Sequence, residues 1–200
     1  MSADLIRSAT VDRQTTETQI RVHLVLDGRG RATIDSPIGF FTHMLETLAR
    51  HSAIDMEATI RGDLHVDQHH TVEDTGIVLG QALREALGDK RGIQRAGFFN
   101  YPMDEALARV ALDISGRPCL VYDVPLTTTH VGELQLELLE DFFLGFCTAL
   151  GANLHIQVTY GRSDHHKVEA VFKALARALR MACQIDPRMA GEIPSTKGAL

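Results

Sequence analysis

Hydrophobic and polar residues follow a regular order through the first half of the chain. Thr18–Leu26 alternates polar and apolar residues and then meets Asp27-Gly28, which is typical of a strand that enters a hairpin turn. After Ser36-Pro37, apolar residues recur every three or four positions, as on one face of a helix. The pattern predicts strand, strand, helix, strand and helix at Thr18–Leu26, Arg31–Asp35, Phe40–Leu48, Ile54–Ile60 and about Gln68–Leu87.

The second half repeats this order. Its predicted elements are Ala106–Ile114, Pro118–Val124, Leu134–Leu150, Asn153–Tyr160 and Ser163–Gln184. We therefore predict an α+β fold that duplicates a strand-strand-helix-strand-helix unit, with two antiparallel-rich mixed sheets and four helices packed between or against them. The single domain then has two similar halves, about residues 1–92 and 93–185. A polar C-terminal tail, 186–200, follows; on composition alone it is a frayed end as readily as a binding segment.

Composition places the chain among ordinary globular proteins, with 44% hydrophobic and 23% charged residues in 200. The net charge of −6 argues against a general nucleic-acid-binding surface. No apolar run approaches the roughly 20 residues that cross a bilayer, and the mixed polar segment Met1–Thr18 does not resemble a signal peptide. The three cysteines form no CxxC motif, so we expect reduced thiols in a cytoplasmic protein.

One histidine-rich cassette occurs twice. His69-His70-Thr71-Val72-Glu73 recurs 96 positions later as His165-His166-Lys167-Val168-Glu169. On a helix the first histidine and the glutamate of each copy share a face, while the second histidine points about 100° away. The spacing predicts two metal sites, each with a His/Glu pair from one half and a histidine from the other. Imidazole with carboxylate suits Mn, Fe, Zn or Ni.

Each cassette is expected to open a helix. Asp67 and Ser163 stand two residues before the histidine pairs and are good N-cap residues. The positive end of a helix disfavours an imidazolium, so we expect neutral histidines, the state that binds a metal. The alternative is a set of surface histidines without a metal. For a single cassette, histidines without a metal would be as reasonable an interpretation as a metal site. Two cassettes in matching sequence context favour metal binding.

Each metal site needs a further ligand. His43 lies on the predicted helix Phe40–Leu48 of the first half. Alignment of the two halves places Asp141 opposite His43, and a carboxylate can also bind such a metal.

Several motifs together resemble the imidazoleglycerol-phosphate dehydratase family over nearly the whole chain. They are Phe41–Leu45, Asp67–Gly76, Met103–Leu107, Leu112–Pro118, Asp164–Ala170, Phe172–Ala174 and Pro194–Gly198. The resemblance implies a lyase of histidine biosynthesis, which removes water from imidazole glycerol phosphate to give imidazole acetol phosphate. It also implies two Mn²⁺ ions per active site, bound between subunits of a homo-oligomer of 24 chains.

The resemblance assigns the metal ligands in two sets. One metal would take His43, His70, His165 and Glu169. The other would take His69, Glu73, His166 and Asp141, which stands where the family usually has histidine.

The resemblance also implies the residues that contact and transform the substrate. Glu17, Glu73 and Glu169 are the catalytic candidates, with Glu17 as our choice for proton transfer. The residues expected to contact the substrate are Glu17, His43, His51, His69, Glu73, Arg95, Arg117, His165, Lys173, Ser195, Thr196 and Lys197. The basic members suit a phosphate, and the tail could close over it.

The implied ligand set fits the implied reaction. Metals on both ring nitrogens of the substrate would favour an imidazolate. That electron-rich ring can expel the neighbouring hydroxyl and give a diazafulvene-like intermediate with a more acidic C–H, from which a carboxylate removes the proton.

Two other functions are compatible with the cassettes. One is a dinuclear metallohydrolase that uses a metal-bound hydroxide, and the other is a non-catalytic protein that stores or senses metal. A metal store would not need Arg95, Arg117 and Lys197. A hydrolase has no reason to hold both metals with near-identical ligand sets.

Overall fold

The computed structural model describes residues 6–198 and has an α+β fold, as predicted. The first half contains β1 Ser8–Gln14, β2 Thr18–Val25, β3 Ala32–Asp35, α1 Gly39–Ser52, β4 Asp55–Gly62 and α2 His69–Leu87. The second half contains β5 Ala96–Met103, β6 Ala106–Asp113, β7 Cys119–Asp123, β8 His130–Val131, β9 Leu134–Gln135, α3 Leu138–Leu150, β10 Asn153–Tyr160 and α4 Asp164–Cys183. A short 3₁₀ turn, Pro187–Met189, lies in the tail. Of the predicted tail, Ala199 and Leu200 lie outside the described residues.

The two halves build sheets with the same topology. The strand orders are β1-β2-β4-β3 and β5-β6-β10-β7. In each sheet the first three strands are antiparallel neighbours, and the last strand is parallel to its neighbour. This repetition agrees with the duplication predicted from the sequence, and both sheets are mixed.

The predicted hairpin between Thr18–Leu26 and Arg31–Asp35 is wrong. Strand β3 pairs in parallel with β4, where Ala32 lies opposite Met56, because both edges of β2 are already taken by β1 and β4. The turn is closed by Asp55, whose Oδ1 accepts hydrogen bonds from the backbone N–H of Arg29 and Arg31 at 2.7 and 2.9 Å.

Two strands and one helix start also differ from the prediction. Strands β1 and β5 were not predicted; they are edge strands, and in β1 only Val11 is buried, so the alternation of apolar residues is weak. Helix α3 begins at Leu138 and not at Leu134, because Leu134 pairs with Val131 in the small β8–β9 hairpin.

The four helices lie between the two sheets and form one continuous core with them. Helix α2 packs mainly against α3 and the first sheet, whereas α4 packs against α1 and the second sheet. The contact of α2 with α3 is close: a Cβ on Gly76 would lie 2.2 Å from the backbone oxygen of Phe142, and one on Gly80 2.3 Å from that of Phe146. This packing places the first turns of α2 and α4, which carry the cassettes, at fixed positions in the fold.

Two expectations about the chain as a whole can be compared with the structure. The three cysteines are free, as expected. No helix within residues 6–198 is both long and apolar enough to cross a membrane.

Candidate active site

One group of predicted ligands meets where α1 packs against α4. Helix α4 begins as predicted after Ser163, whose Oγ accepts a hydrogen bond from the backbone N–H of His166 at 3.4 Å. One turn apart on the same face, Nε2 of His165 lies 3.2 Å from Oε2 of Glu169. Nε2 of His43, from α1, lies 3.7 Å from the same oxygen. We call His43, His165 and Glu169 the α4 set.

The α4 set is bordered by Lys173. Its Nζ lies 2.8 Å from Oε1 of Glu169, one helical turn away. Burial by itself raises the pKa of Glu169, but the hydrogen bond and charge of Lys173, together with His43 and His165, outweigh burial and lower it. These contacts therefore stabilise the charged form of Glu169, the form that a metal ligand requires.

Another predicted substrate contact, His51, lies beside Lys173. Its ring meets the ring of Tyr101 edge-on at 5.7 Å, and Nζ of Lys173 lies 5.5 Å from the centre of the same tyrosine ring. Burial lowers the pKa of His51, and the nearby charges of Lys173 and Arg177 lower it further. The structure thus brings His51 and Lys173 together next to the α4 set, through a tyrosine that sequence reasoning did not identify.

A second group of predicted ligands meets where α2 packs against α3. Nε2 of His69 lies 3.5 Å from Oε2 of Glu73, and Nδ1 of the same ring lies 3.7 Å from Oδ2 of Asp141. These three residues, the α2 set, are all partly exposed to solvent. Helix α2 begins at His69, one residue later than an N-cap at Asp67 would require, although Oδ1 of Asp67 accepts the backbone N–H of His69 at 2.8 Å.

The second histidine of each cassette meets the first edge-on. The ring planes of His69 and His70 make an angle of 86°, and those of His165 and His166 make 90°. Apart from this ring contact, the polar contacts of His70 and His166 are with residues outside the two sets.

Both of these histidines have the same kind of carboxylate environment. His70 has Nδ1 at 3.1 Å from Oδ2 of Asp63 and Nε2 at 3.8 Å from Oε1 of Glu17. His166 has Nδ1 at 2.7 Å from Oε2 of Glu105 and Nε2 at 3.7 Å from Oδ2 of Asp104. In each case one carboxylate holds Nδ1, which leaves Nε2 as the candidate metal-binding nitrogen; such a histidine–carboxylate pair is usual for metal ligands.

Of these carboxylates, Glu17 was predicted as a site residue, whereas Asp63, Asp104 and Glu105 were missed. Asp63 lies seven positions before His70, and Asp104 and Glu105 form the β5–β6 turn, as Glu17 stands in the β1–β2 turn. The matching turns of the two halves were the available signal, but β1 and β5 had not been predicted. Within residues 6–198, Asp104, Glu105 and His166 are the one group in which three potential ligand atoms lie within 4.8 Å of one another.

The electrostatics of these pairs corrects one expectation. The hydrogen bond to Asp63 raises the pKa of His70, and the charges of Glu17, Asp63 and Asp67 add to that effect. The pKa of His70 is therefore not lowered, as expected from the positive end of the helix, but raised by the neighbouring carboxylates. The hydrogen bond from His166 lowers the pKa of Glu105 to about 2.

Lys173 lies at the α4 set, but the other predicted phosphate-binding residues line one cavity of about 390 Å³. We call it the cation pocket; its lining residues are Arg95, Ser115, Gly116, Arg117, Ser195, Thr196 and Lys197. Arg95 holds the tail here, because its Nη1 donates to the backbone oxygen of Pro194 at 2.9 Å while its Nε donates to Oδ1 of Asp113 at 2.6 Å.

The cation pocket and the α4 set lie at opposite ends of α4. The backbone N–H of Arg95 donates to the backbone oxygen of Ala182 at 2.9 Å. Ala182 follows His165 by 17 residues on this helix, so about 25 Å separates the two regions. A small substrate cannot contact both regions of the same chain.

Comparison with known proteins agrees with these features. The family model described as imidazoleglycerol-phosphate dehydratase matches residues 36–179. Imidazoleglycerol-phosphate dehydratases of Azorhizobium caulinodans and Koribacter versatilis are each 56% identical over 195 residues, which is 98% of this chain and 99% and 100% of those proteins.

Solved structures give the same result. The crystal structure of the dehydratase from Staphylococcus aureus has a TM-score of 0.81 at 36% identity and covers 90% of this chain and 99% of its own. That from Pyrococcus furiosus has a TM-score of 0.82 at 37% identity and covers 95% and 100%. The matches extend over both halves and include both cassettes. This chain therefore belongs to the imidazoleglycerol-phosphate dehydratase family.

Proposed function

We propose that this chain is a hydro-lyase of histidine biosynthesis that dehydrates imidazole glycerol phosphate to imidazole acetol phosphate. The observation that carries the proposal is identity above 50% to dehydratases of this name over almost the entire chain. The two histidine cassettes and the cation pocket supply groups suited to an imidazole ring and to a phosphate.

The donor atoms fit two transition-metal ions per active site, and the family points to Mn²⁺. In the α4 set two imidazole nitrogens face one carboxylate oxygen, which is a ligand chemistry that manganese accepts. In the α2 set, one imidazole lies between two carboxylates. We propose that these six residues hold the metals together with His70 and His166.

His70 and His166 would complete the sets of neighbouring copies. Their Nδ1 atoms are held by Asp63 and Glu105 of their own chain, which leaves the Nε2 atoms to bind a metal. Each active site would then combine the α4 edge of one copy, with His43, His165, His166 and Glu169, and the α2 edge of another, with His69, His70, Glu73 and Asp141.

The position of the cation pocket also supports a site shared between copies. It lies about 25 Å from the α4 set of its own chain, so the substrate phosphate would be held by a different copy. A closed homo-oligomer, for which the family suggests 24 chains, would bring these surfaces together. We also propose a cytoplasmic location, which free thiols support.

When bound, the two cations would stabilise the deprotonated, electron-rich form of the substrate imidazole, which favours departure of the neighbouring hydroxyl. We assign proton removal to Glu17. The proton comes from the carbon next to the one that loses its hydroxyl. The side chain of Glu17 is 51% exposed and extends outward beside His70. Glu169 is less suited to carry a proton, since Lys173 stabilises its charged form. Glu73, also partly exposed, is the second candidate.

The test is an assay of the purified protein after chelation and reloading with Mn²⁺. Formation of imidazole acetol phosphate, followed by mass spectrometry, would support the proposal. Release of inorganic phosphate without the ketone would indicate a hydrolase, and bound metal without turnover a storage protein. Absence of the ketone at every metal loading would reject the dehydratase assignment.

A further inference from the structure

The segment 125–135, between β7 and α3, contacts the starts of three ligand-bearing helices. It contains the β8–β9 hairpin and leads directly into α3, which carries Asp141. We call it the bridging hairpin. Its contacts are made by residues that the catalytic scheme does not use.

One end of the bridging hairpin is bound to α4. Oδ2 of Asp164, the residue before His165, accepts the backbone N–H groups of Thr127 and Thr128 at 2.7 and 2.6 Å and both of their hydroxyls at 2.9 Å. Its Oδ1 accepts a hydrogen bond from Nζ of Lys167, which also donates to the backbone oxygen of Pro125; both distances are 2.8 Å. Asp164 and Lys167 are buried, so water does not compete for these bonds.

The other end is bound to α2 and α1. Gln68, the residue before His69, donates from Nε2 to the backbone oxygen of Glu133 at 2.7 Å and accepts the backbone N–H of Gln135 at 3.1 Å. The carboxylate of Glu133 accepts the backbone N–H of Gly39, the first residue of the helix that carries His43. The residues that directly precede the two histidine pairs thus bind the same short hairpin.

We propose that the bridging hairpin fixes the α2 set relative to the α4 set, and that Gln68, Glu133 and Asp164 are positioning residues for the two metal centres. The proposal rests on the metal sites proposed above. It follows from the connectivity: one hydrogen-bonded segment joins the starts of all four helices that carry ligands, so movement at one cassette is transmitted to the other. None of the three residues belongs to the implied ligand sets.

The decisive experiment is hydrogen–deuterium exchange of the metal-free protein. Gln68→Ala removes both bonds at the α2 end, and we expect roughly tenfold faster exchange of the amides at residues 164–169 as well as at 66–73. Gln81→Ala is the matched control, since Gln81 lies on the same helix but bonds only to Glu85. Light scattering would verify that the variants share one oligomeric state. Acceleration confined to residues 66–73 and 132–136 would overturn the proposal.

A second pair of variants separates the positioning role of the Glu133 hydrogen bond from the effect of the Glu133 charge. Glu133→Gln keeps an oxygen that can accept the N–H of Gly39, whereas Glu133→Ala does not. We expect Mn²⁺ titration to show unchanged affinity for the glutamine variant and about tenfold weaker binding for the alanine variant. Equal loss in both variants would contradict a positioning role. Because exchange is measured without metal or substrate, failure of the dehydratase assay would leave that result interpretable.

Discussion

The carboxylate of Asp141 lies 3.7 Å from Nδ1 of His69, while Glu73 approaches Nε2 of the same ring. In the α4 set, by contrast, His43 and His165 face a single oxygen of Glu169. Within the α2 set, Asp141 and Glu73 therefore approach opposite nitrogens of one imidazole, whereas the α4 set gathers two imidazoles around one carboxylate oxygen.

Replacement of Asp141 by histidine tests whether it is a ligand. We expect Asp141→His to keep two Mn²⁺ per active site, with equal or higher affinity, because an imidazole nitrogen can take the place of the carboxylate in a mixed histidine–carboxylate ligand set. Asp141→Ala should lower the affinity about 10- to 100-fold. Isothermal titration would measure both, with Glu140→Ala, an exposed neighbour on α3, as the control. Loss of both metals in Asp141→His would place Asp141 outside the ligand set.

Mixing of two inactive variants tests the shared active site. His70→Ala damages the α2 edge and His165→Ala the α4 edge, so each alone should be inactive. If the chains are mixed after chelation and reloaded with Mn²⁺, random association should restore about one quarter of the sites. Enzyme activity gives the readout, and each variant mixed with itself is the control. No recovery in a mixture that does reassemble would mean that both edges belong to one chain's site.

Removal of a basic residue from the cation pocket should weaken substrate binding. We expect Lys197→Ala to raise KM roughly ten- to hundredfold with a smaller change in kcat, because a charge-assisted bond to phosphate is lost. Arg188→Ala is the control, since Arg188 lies nearby in the chain but pairs with Asp186 and does not line the pocket. An unchanged KM for Lys197→Ala would show that the phosphate binds elsewhere.

The buried pair of Asp164 and Lys167 should contribute strongly to stability. Asp164→Ala leaves Lys167 buried without its partner, and we expect a loss of about 3–5 kcal/mol in the free energy of unfolding. The double variant Asp164→Ala/Lys167→Met should recover part of it. Urea denaturation of the metal-free protein would measure both changes. An equal loss of unfolding free energy in the single and double variants would contradict the explanation that the unpaired charge of Lys167 destabilises the fold.

The same pair should make stability depend on acid pH. Burial alone would raise the pKa of Asp164, but Lys167 and the groups of Thr127 and Thr128 outweigh it and hold the pKa well below its usual range. A carboxyl with a lowered pKa stabilises the fold above the pKa of the unfolded chain, about 3.9, and loses this effect as the pH falls below it. Asp164→Asn should therefore show a flatter decline of unfolding free energy below about pH 4 than the unchanged protein.

Much of the fold could be predicted from local patterns. Asn153–Tyr160 has the predicted bounds, and α2 ends before Gly88 as expected. The strand partners could not be predicted in this way, because the parallel pairing of β3 with β4 depends on which edges of the sheet are free. Edge strands such as β1 bury few side chains and so leave a weak signal.

In the candidate site, too, local spacing could be predicted and tertiary contacts could not. Helical spacing was sufficient to place His165 beside Glu169 and His69 beside Glu73. Contacts between distant segments, such as Glu105 with His166 or Gln68 with Glu133, depend on tertiary packing and have no local sequence signature.

In a single chain, the α4 set proposed for the ring and the cation pocket proposed for the phosphate lie about 25 Å apart. If active sites form between copies as proposed, catalytic output would fall more steeply than protein abundance on dilution, because dissociation of the copies would abolish the sites without unfolding the chains. Synthesis of this enzyme at low copy number would thus yield intact but silent molecules.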